Sequence, residues 1–304
     1  MSNLVSVVIC TYNRGDLIEG CLDSLADQTA DPNSFEVIVV DNNSSDNTLQ
    51  VMEHYQRLPN LRIFFEEKQG LSHARNRGLA EAKGSYIAYL DDDAKAERHY
   101  IENLFVLLDQ FSDSIDCYGG PILPFYTSPK PDWFKDKYET RRDWETTRYL
   151  NPGQSFSGSN MIWKRSTLKS LGGFNLEVGI KGNKLILGEE TLLFNRLFKG
   201  QSPRLFYSPE LIVFHWVPEK KMRVSYQLKR ARATGNFLGF EIKYQNSTRI
   251  NEILSSLFLL LKSSIKALFL FPSYRKWQNW AVETLSPIEI EIGKISSMLL
   301  KSLS

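Results

Sequence analysis

Along the first ninety residues the apolar positions fall into short continuous runs, separated by stretches in which they recur every three or four residues. Val5-Ser6-Val7-Val8-Ile9-Cys10 is a β-branched run of strand length, and after the turn at Asn13-Arg14-Gly15 the residues Leu17, Ile18, Cys21, Leu22 and Leu25 mark one helical face. Phe35–Val40 is a second run, continuous rather than alternating, as a strand buried on both faces should be. Asp46 is placed to cap a helix whose apolar face is Leu49, Val51, Met52 and Tyr55. The pattern predicts a third strand over Leu61–Phe65, a third helix over Leu71–Ala82 and a fourth strand over Tyr86–Leu90. Strand and helix alternating through short connections imply an α/β fold, a Rossmann-like, mostly parallel sheet with helices on both faces.

Past Asp93 the regularity fades. A helix is expected over Arg98–Gln110, then Gly119-Gly120-Pro121, then a Pro- and aromatic-rich stretch from Pro124 to Trp144 whose length suggests a functional loop or disorder. Order returns with Ser157–Trp163, a helix over Lys164–Leu171, the turn Gly172-Gly173, a glycine- and lysine-bearing loop, a helix opening near Glu189 and a final strand, Leu211–Phe214, before His215. From Val217 the pattern is helical. The division expected within 217–245 is drawn at 235, giving a main domain of residues 1–235, with halves 1–93 and 94–235, and a C-terminal helical extension of 236–304. In the 250–271 stretch Ser255, Ser256, Lys262, Ser263 and Lys266 form one helical stripe while Leu, Ile and Phe cover the rest. So broad an apolar sector suits a packed helical hairpin, a dimer interface or a helix lying in a membrane surface.

Composition narrows the classes. At 304 residues, 42% hydrophobic and 24% charged, the chain is neither disordered, collagenous nor a coiled coil in the main. Thirty-seven basic against thirty-five acidic residues leave a formal charge of +2, which excludes nucleic acid as the expected partner. Cys10, Cys21 and Cys117 show no disulfide or zinc spacing and fit a reducing compartment. Leu4–Cys10 lacks a basic leader, so it reads poorly as a signal peptide and the expected location is the cytoplasm. Lys262 and Lys266 interrupt the one approach to a transmembrane run.

In sheets of this class ligands bind beyond the carboxyl ends of the strands, where this chain has Thr11-Tyr12-Asn13, Asp41-Asn42-Asn43 and Asp91-Asp92-Asp93. Three consecutive aspartates repel unless something positive sits among them, and a divalent cation is the economical remedy. Carboxylates suit Mg2+ or Mn2+, which share their remaining positions with phosphates. There is no GxxxxGK[ST] loop, and Gly70–Gly84 contains no GxGxxG, so neither a P-loop enzyme nor a dinucleotide dehydrogenase is supported. Arg75 can pair with phosphate or orient an aspartate; for Arg75 and Arg77 alike the plainer reading is an ion pair on a solvated helix face.

Four segments carry a resemblance. Val7–Arg14, Val39–Asp46, Gly70–Gly78 and Tyr86–Asp93 resemble, in order and spacing, the successive signatures of family 2 glycosyltransferases of the bacterial type, with the GT-A fold. The likeness covers residues 5 to about 235. It implies a nucleotide-diphosphate-sugar donor, a UDP-sugar first, a divalent metal (Mn2+ or Mg2+) and inversion at the anomeric carbon. By the same resemblance Cys10, Thr11 and Tyr12 form the base-binding lip, Asp41 receives the base edge, Arg75 contacts base or phosphate, Asp91 and Asp92 lie next to ribose and sugar, and Asp93 is the direct metal ligand.

Further along, Gly188-Glu189-Glu190-Thr191 resembles the segment in which the family keeps its catalytic base, commonly a Glu-Asp pair. Glu190 is the first choice for the base and Glu189 the second; the plainer reading is an acidic pair at a helix N-terminus. Family members frequently have a histidine at the place of His215, near metal or diphosphate, so Asp93, Asp91 and His215 are the candidate metal ligands. The basic residues around and after Glu219 read as a solvated helix face, as stabilisation of the diphosphate or as attraction to anionic lipid headgroups, with Arg223 the candidate for diphosphate. Gly158 and Asn160 match an acceptor-side segment, and Trp133 is placed to stack on a sugar or lipid-linked acceptor, or to pack its own loop.

The function expected is an inverting, metal-dependent glycosyltransferase of cell-surface polysaccharide or glycolipid assembly, at the inner face of the plasma membrane with a peripheral membrane contact. A nucleotidyltransferase is the alternative enzyme, disfavoured by the Glu189-Glu190 segment and the lack of a glycine-rich, lysine-bearing loop after the first strand. A silent sugar-nucleotide-binding subunit of a synthase complex is the non-enzymatic one, against which Asp91–Asp93 and Glu190 argue.

Overall fold

The computed structural model describes residues 5–55, 57–111, 114–141, 144–176, 188–199, 202–244 and 249–299. The described residues fall into two compact units, one within 5–125, 139–176 and 188–216, the other within 126–138 and 217–299.

In the first unit β1 (Val5–Thr11), α1 (Ile18–Ala26), β2 (Phe35–Asp41), α2 (Thr48–His54), β3 (Leu61–Phe65), α3 (Leu71–Glu81) and β4 (Tyr86–Asp91) follow the alternation read from the apolar pattern. Then come β5 (Ala94–Ala96), α4 (Tyr100–Phe111), β6 (Cys117–Gly119), β7 (Ile122–Phe125), β8 (Arg148–Tyr149), β9 (Met161–Lys164), α5 (Arg165–Ser170), α6 (Glu189–Phe198), β10 (Leu205–Tyr207) and β11 (Val213–Trp216). The eight-stranded sheet runs β3-β2-β1-β4-β9-β6-β10-β8, and a three-stranded one runs β5-β11-β7. β1 to β4 are parallel, whereas β9 is antiparallel to both β4 and β6.

Alternate residues of one strand feed two cores, which is why the strands read as continuous apolar runs. Val7 and Ile9 of β1 join Ile18, Leu22 and Leu104 on one face, while Val8 joins Ala74, Trp163 and Leu193 on the other. At the opening end of β2 the buried Glu36 carboxylate accepts from Ser6 Oγ at 2.6 Å, the Lys83 amide at 2.7 Å and Arg62 Nη1 at 2.9 Å. Those three donors outweigh burial and lower its pKa, clipping three strands together at the end remote from their carboxyl termini.

Two sequence expectations need correction here. The final strand is Val213–Trp216, not Leu211–Phe214, because Leu211 turns, its amide donating to Ser208 O. The stretch beyond Pro121 is also less irregular than expected: Ile122–Phe125 pairs in parallel with β11. The glycine- and lysine-bearing loop lies outside the described residues.

The second unit is helical: α7 (Val224–Tyr244), α8 (Arg249–Leu270), a short α9 (Trp277–Trp280), a wider turn over Ala281–Leu285 and α10 (Ser286–Leu299). Gly235 and Gly239 on α7 face the carbonyls of Ile290 and Lys294, and Gly293 on α10 faces that of Arg232, so α7 and α10 meet backbone to backbone. The 126–138 segment packs in this unit through Phe134, Val217 and Met222. Among the described residues one stretch, Ile250–Ser273, is long and apolar enough to cross a membrane.

Candidate active site

The register of the parallel strands brings Thr11 level with Asp41 and Cys10 level with Asp91, so their polar residues share one edge of the sheet. Asp41 is buried and accepts from the Ser44 amide at 3.3 Å. Asn13 and Asn43 adopt left-handed backbone (φ 53° and 66°), a conformation asparagine tolerates better than other residues with a side chain. Asn13 Oδ1 accepts from the Ser45 amide at 2.7 Å, joining the loops after β1 and β2. Asp46 does serve the start of α2, accepting from the Thr48 amide at 3.0 Å. Asn42 donates to Glu66 O and Lys68 O and accepts from the Gly70 amide at 2.7 Å, which fixes the loop entering α3. Cys10 is half-buried; its thiol is pushed up to about 12 by desolvation and stays protonated. Tyr12 is exposed.

The acidic triplet splits. Asp91 ends β4 and Asp93 precedes β5, whose antiparallel pairing with β11 sets His215 opposite Ala94. His215 Nε2 therefore lies 3.2 Å from Asp93 Oδ1 and 3.5 Å from Asp91 Oδ2. Its Nδ1 is 3.1 Å from the Trp216 carbonyl, and in the tautomer that donates there Nε2 turns a lone pair towards both carboxylates. Three ligand atoms, one from each residue, lie within 4.8 Å of one another, and two carboxylate oxygens with an imidazole nitrogen suit a divalent metal ion. Asp92 points elsewhere: burial first and then Asp93 push it up to about 7, while Arg14, whose Nε is 3.9 Å away, opposes the rise. Sequence reasoning gave Arg14 no role, although it ends the polar run after β1.

Arg75 is the centre of the arrangement. It is buried, not on a solvated helix face, and its Nη1 lies 3.3 Å from Oε1 of both Glu189 and Glu190 while Nη2 is 3.7 Å from Asp91 Oδ1. Phe174 and Tyr89 flank the guanidinium at 5.3 and 6.0 Å, and the Tyr89 hydroxyl donates to the Arg75 carbonyl at 3.1 Å. One cation thus joins the candidate metal ligands to the glutamate pair. Arg77, by contrast, forms the solvated i,i+4 pair with Glu81 at 3.0 Å.

Gly188 opens α6 in the left-handed region (φ 110°), which lets the helix start at Glu189. Glu189 is buried; desolvation first, then the neighbouring Glu190, push its pKa up to about 7 against the pull of Arg75. The Glu190 side chain keeps 23% of its surface exposed, so of the two it is the one open to a reactant. Gly158 lies so close that a Cβ there would strike Glu190 Oε1 and Arg75 Nη2. The space a side chain would fill is taken by the protein's own charged groups. Asn160 differs from its expected role: its amide is spent internally, donating to Pro121 O (3.1 Å) and Leu211 O (2.8 Å) and accepting from Tyr100 (3.0 Å), so it ties elements together rather than facing an acceptor.

Trp133 and Arg223 belong to the other unit. Trp133 packs edge-on against Phe134 at 5.4 Å and its carbonyl accepts from Asn279, the loop-packing alternative. Arg223 is mostly exposed and paired with Glu219 at 2.9 Å, as on a solvated helix face.

Comparison with known proteins bears on this geometry. The glucosyl-dolichyl phosphate glucuronosyltransferase of Haloferax volcanii is 26% identical over 257 residues, 82% of this chain and 78% of that protein. Among solved structures, the mannosyltransferase PcManGT of Pyrobaculum calidifontis, in complex with GDP-Man and Mn2+, aligns over 97% of this chain and 87% of its own at 19% identity with a TM-score of 0.64. TarS 1–349 of S. aureus, in complex with UDP-GlcNAc, aligns over 97% and 89% at 19% identity with a TM-score of 0.56. These likenesses establish the fold, GT-A with a C-terminal helical region. The sequence profile of glycosyl transferase family 2 matches residues 6–169, more than half of the chain. An α/β sheet with its acidic residues gathered at one edge is therefore the scaffold of a sugar-transferring enzyme, and the chain belongs to glycosyl transferase family 2.

Proposed function

We propose that the protein is an inverting, metal-dependent glycosyltransferase that moves a sugar from a nucleotide diphosphate, a UDP-sugar first, to a hydroxyl of a sugar or lipid-linked acceptor in cell-surface polysaccharide or glycolipid assembly. It acts in the cytoplasm at the inner face of the plasma membrane, with a peripheral membrane contact. The observation that carries the reading is the buried Arg75, which spans from Asp91 to Glu189 and Glu190. The ligands named for the Pyrobaculum and S. aureus proteins, GDP-Man and UDP-GlcNAc, support a nucleotide-sugar donor, and the dolichyl phosphate in the Haloferax name supports a lipid-linked acceptor.

Asp41, with Thr11 and Tyr12 beside it, receives the donor N–H groups of the base. Asp92 faces the ribose. Asp93, Asp91 and His215 would hold a divalent ion, which when bound would supply positive charge to the departing diphosphate. Glu190 takes the proton of the acceptor hydroxyl as its oxygen forms a bond to the anomeric carbon and the bond to the phosphate oxygen breaks on the opposite face, inverting the centre. Arg75 holds Glu190 and Asp91 at fixed spacing.

Two variants on one preparation test this. Glu190→Gln is expected to retain the donor- and Mn2+-dependent rise in melting temperature while transfer falls by about 10²- to 10⁴-fold. Asp93→Ala is expected to lose both. A donor response that survives chelation and Asp93→Ala, or a Glu190→Gln enzyme at normal turnover, would refute the assignment; loss of transfer in Glu189→Gln alone would move the base by one residue.

A further inference from the structure

Helix α8 is built inside out for water. The side it turns into its unit carries the small residues Ser256, fully buried, and Ala267, nearly so, with Ile253, Leu260 and Leu270 half-buried beside them, while the side it turns outwards carries Leu254, Phe258, Leu261, Leu268 and Phe269, with Phe258 66% and Phe269 79% exposed. A surface helix of a soluble protein shows the reverse distribution. This orientation is pinned at both ends. Lys294 Nζ pairs with Glu252 at 3.3 Å near the start of the helix, and the Trp280 indole donates to the Ala267 carbonyl at 2.8 Å near its finish. The unit also packs α7 on α10 through Gly235, Gly239 and Gly293, the small-residue contact that membrane helices use.

Charge says what covers this face. Between Ile250 and Trp277 the chain has four basic residues, Lys262, Lys266, Arg275 and Lys276, of which Lys276 pairs with Asp132 at 3.6 Å, and one acidic residue, Glu252, which is engaged by Lys294. The same face of a second copy would bring only the engaged Glu252 to Lys262, Lys266 and Arg275, whereas anionic headgroups would supply charge to all three. Lys262 and Lys266 lie one turn apart on the flank of the apolar sector, both exposed, where their stems reach to an interface. Lys262 is also at the middle of the 24-residue apolar stretch, the costliest depth for a charge in a spanning helix. Trp277, 58% exposed just past the helix, is of the type enriched at headgroup depth.

We propose that α8 lies in the plane of an anionic lipid bilayer, its Leu and Phe side chains below the headgroups and Lys262, Lys266 and Arg275 among them. The inference deepens the membrane contact named under the proposed function, supplying the partner surface and the residues that meet it. It concerns binding alone, so its test is independent of catalysis.

The full chain is floated with phosphatidylcholine vesicles containing or lacking 30% phosphatidylglycerol. Strong binding to the anionic vesicles, falling steeply in 0.5 M NaCl, is expected, with a blue shift in tryptophan emission. Lys262→Gln with Lys266→Gln should weaken the partition by about 25-fold, roughly fivefold for each cation near an anionic surface. Phe258→Ser with Leu261→Ser, both exposed sites whose replacement leaves the packed side of the helix intact, should abolish flotation while the thermal response to a UDP-sugar with Mn2+ is unchanged. Three results overturn the proposal: equal flotation of the wild type and the Phe258/Leu261 variant; no flotation together with a dimer in light scattering that this variant dissolves, which would make a second copy the occupant; and retention in vesicles after alkaline carbonate, which would make the helix a spanning one. A missing UDP-sugar response in every variant would count against the catalytic reading and leave the membrane result standing.

Discussion

At Gly158 the absence of a single carbon decides whether the charged cluster can assemble. A Cβ would meet Glu190 Oε1 and Arg75 Nη2, and Arg75 has nowhere to retreat because it is buried between Phe174 and Tyr89. Gly158→Ala is therefore expected to push the Glu190 carboxylate aside by about 1 Å, lowering kcat by about 10- to 100-fold. Donor KM should hold and the melting temperature should move little, because the displaced ends are side chains; an unchanged kcat would show that the contact does not set the base. Residue types were readable ahead of this geometry, but partners were not. The aspartates and glutamates stood out as carboxylates at strand ends and a helix start. Arg75 was singled out for a phosphate or an aspartate, but not for the glutamates, since these lie 114 and 115 positions away and only the fold brings them in. Asn160 is the converse case: a polar side chain beside a glycine invited a ligand role, yet its amide is used up by Tyr100, Pro121 and Leu211, none of which sequence proximity would suggest.

Helix α7 gives the sharpest test of packing at the scale of an element. In an exposed helix Gly→Ala stabilises by about 1 kcal/mol, the difference in helix propensity. At Gly235 the added carbon would run into the Ile290 carbonyl of α10, which is backbone and cannot rotate away, so an overpacking cost of about 1–3 kcal/mol applies. The cost outweighs the gain, and Gly235→Ala is expected to lower the urea midpoint of the full chain; a higher midpoint would mean that the two helices can separate freely. Legibility of elements followed length. The strands β1 to β4 and helices α1 to α4 were evident because strands of five to seven mostly apolar residues and helices of seven to twelve residues leave a periodic trace. The strands β6, β8 and β10 were not, being two or three residues long and paired only with distant partners. For α8 the period was plain in the sequence and its direction was not: the broad apolar sector suited a packed hairpin, a dimer interface or a membrane surface alike, and only the structure shows most of it turned outwards.

Across the molecule as a whole, the long aromatic segment of 126–138 belongs with the C-terminal helices, and one carboxylate secures it there. Glu283 accepts from Lys135 and Lys137, both at 2.8 Å, from Tyr138 at 2.9 Å and from Tyr274 at 3.1 Å. Burial alone would raise its pKa, but these four donors prevail and bring it down to about 2. An unfolded glutamate titrates near 4.3, so the folded state binds this proton less readily than the unfolded one. The resulting stabilisation is complete above that value and is lost as the pH falls from about 4.5 towards 2. With 21% of the Glu283 side chain exposed, solvent screening reduces the effect to about 2 kcal/mol. Melting curves from pH 7 to pH 3 are expected to show the C-terminal unit loosening first below pH 4.5, read as faster protease cutting within 126–138. Glu283→Gln should bring that loosening to neutral pH and flatten its pH dependence, because the neutral amide cannot replace the ionised hub; identical acid profiles for the two proteins would place the acid-labile contact elsewhere.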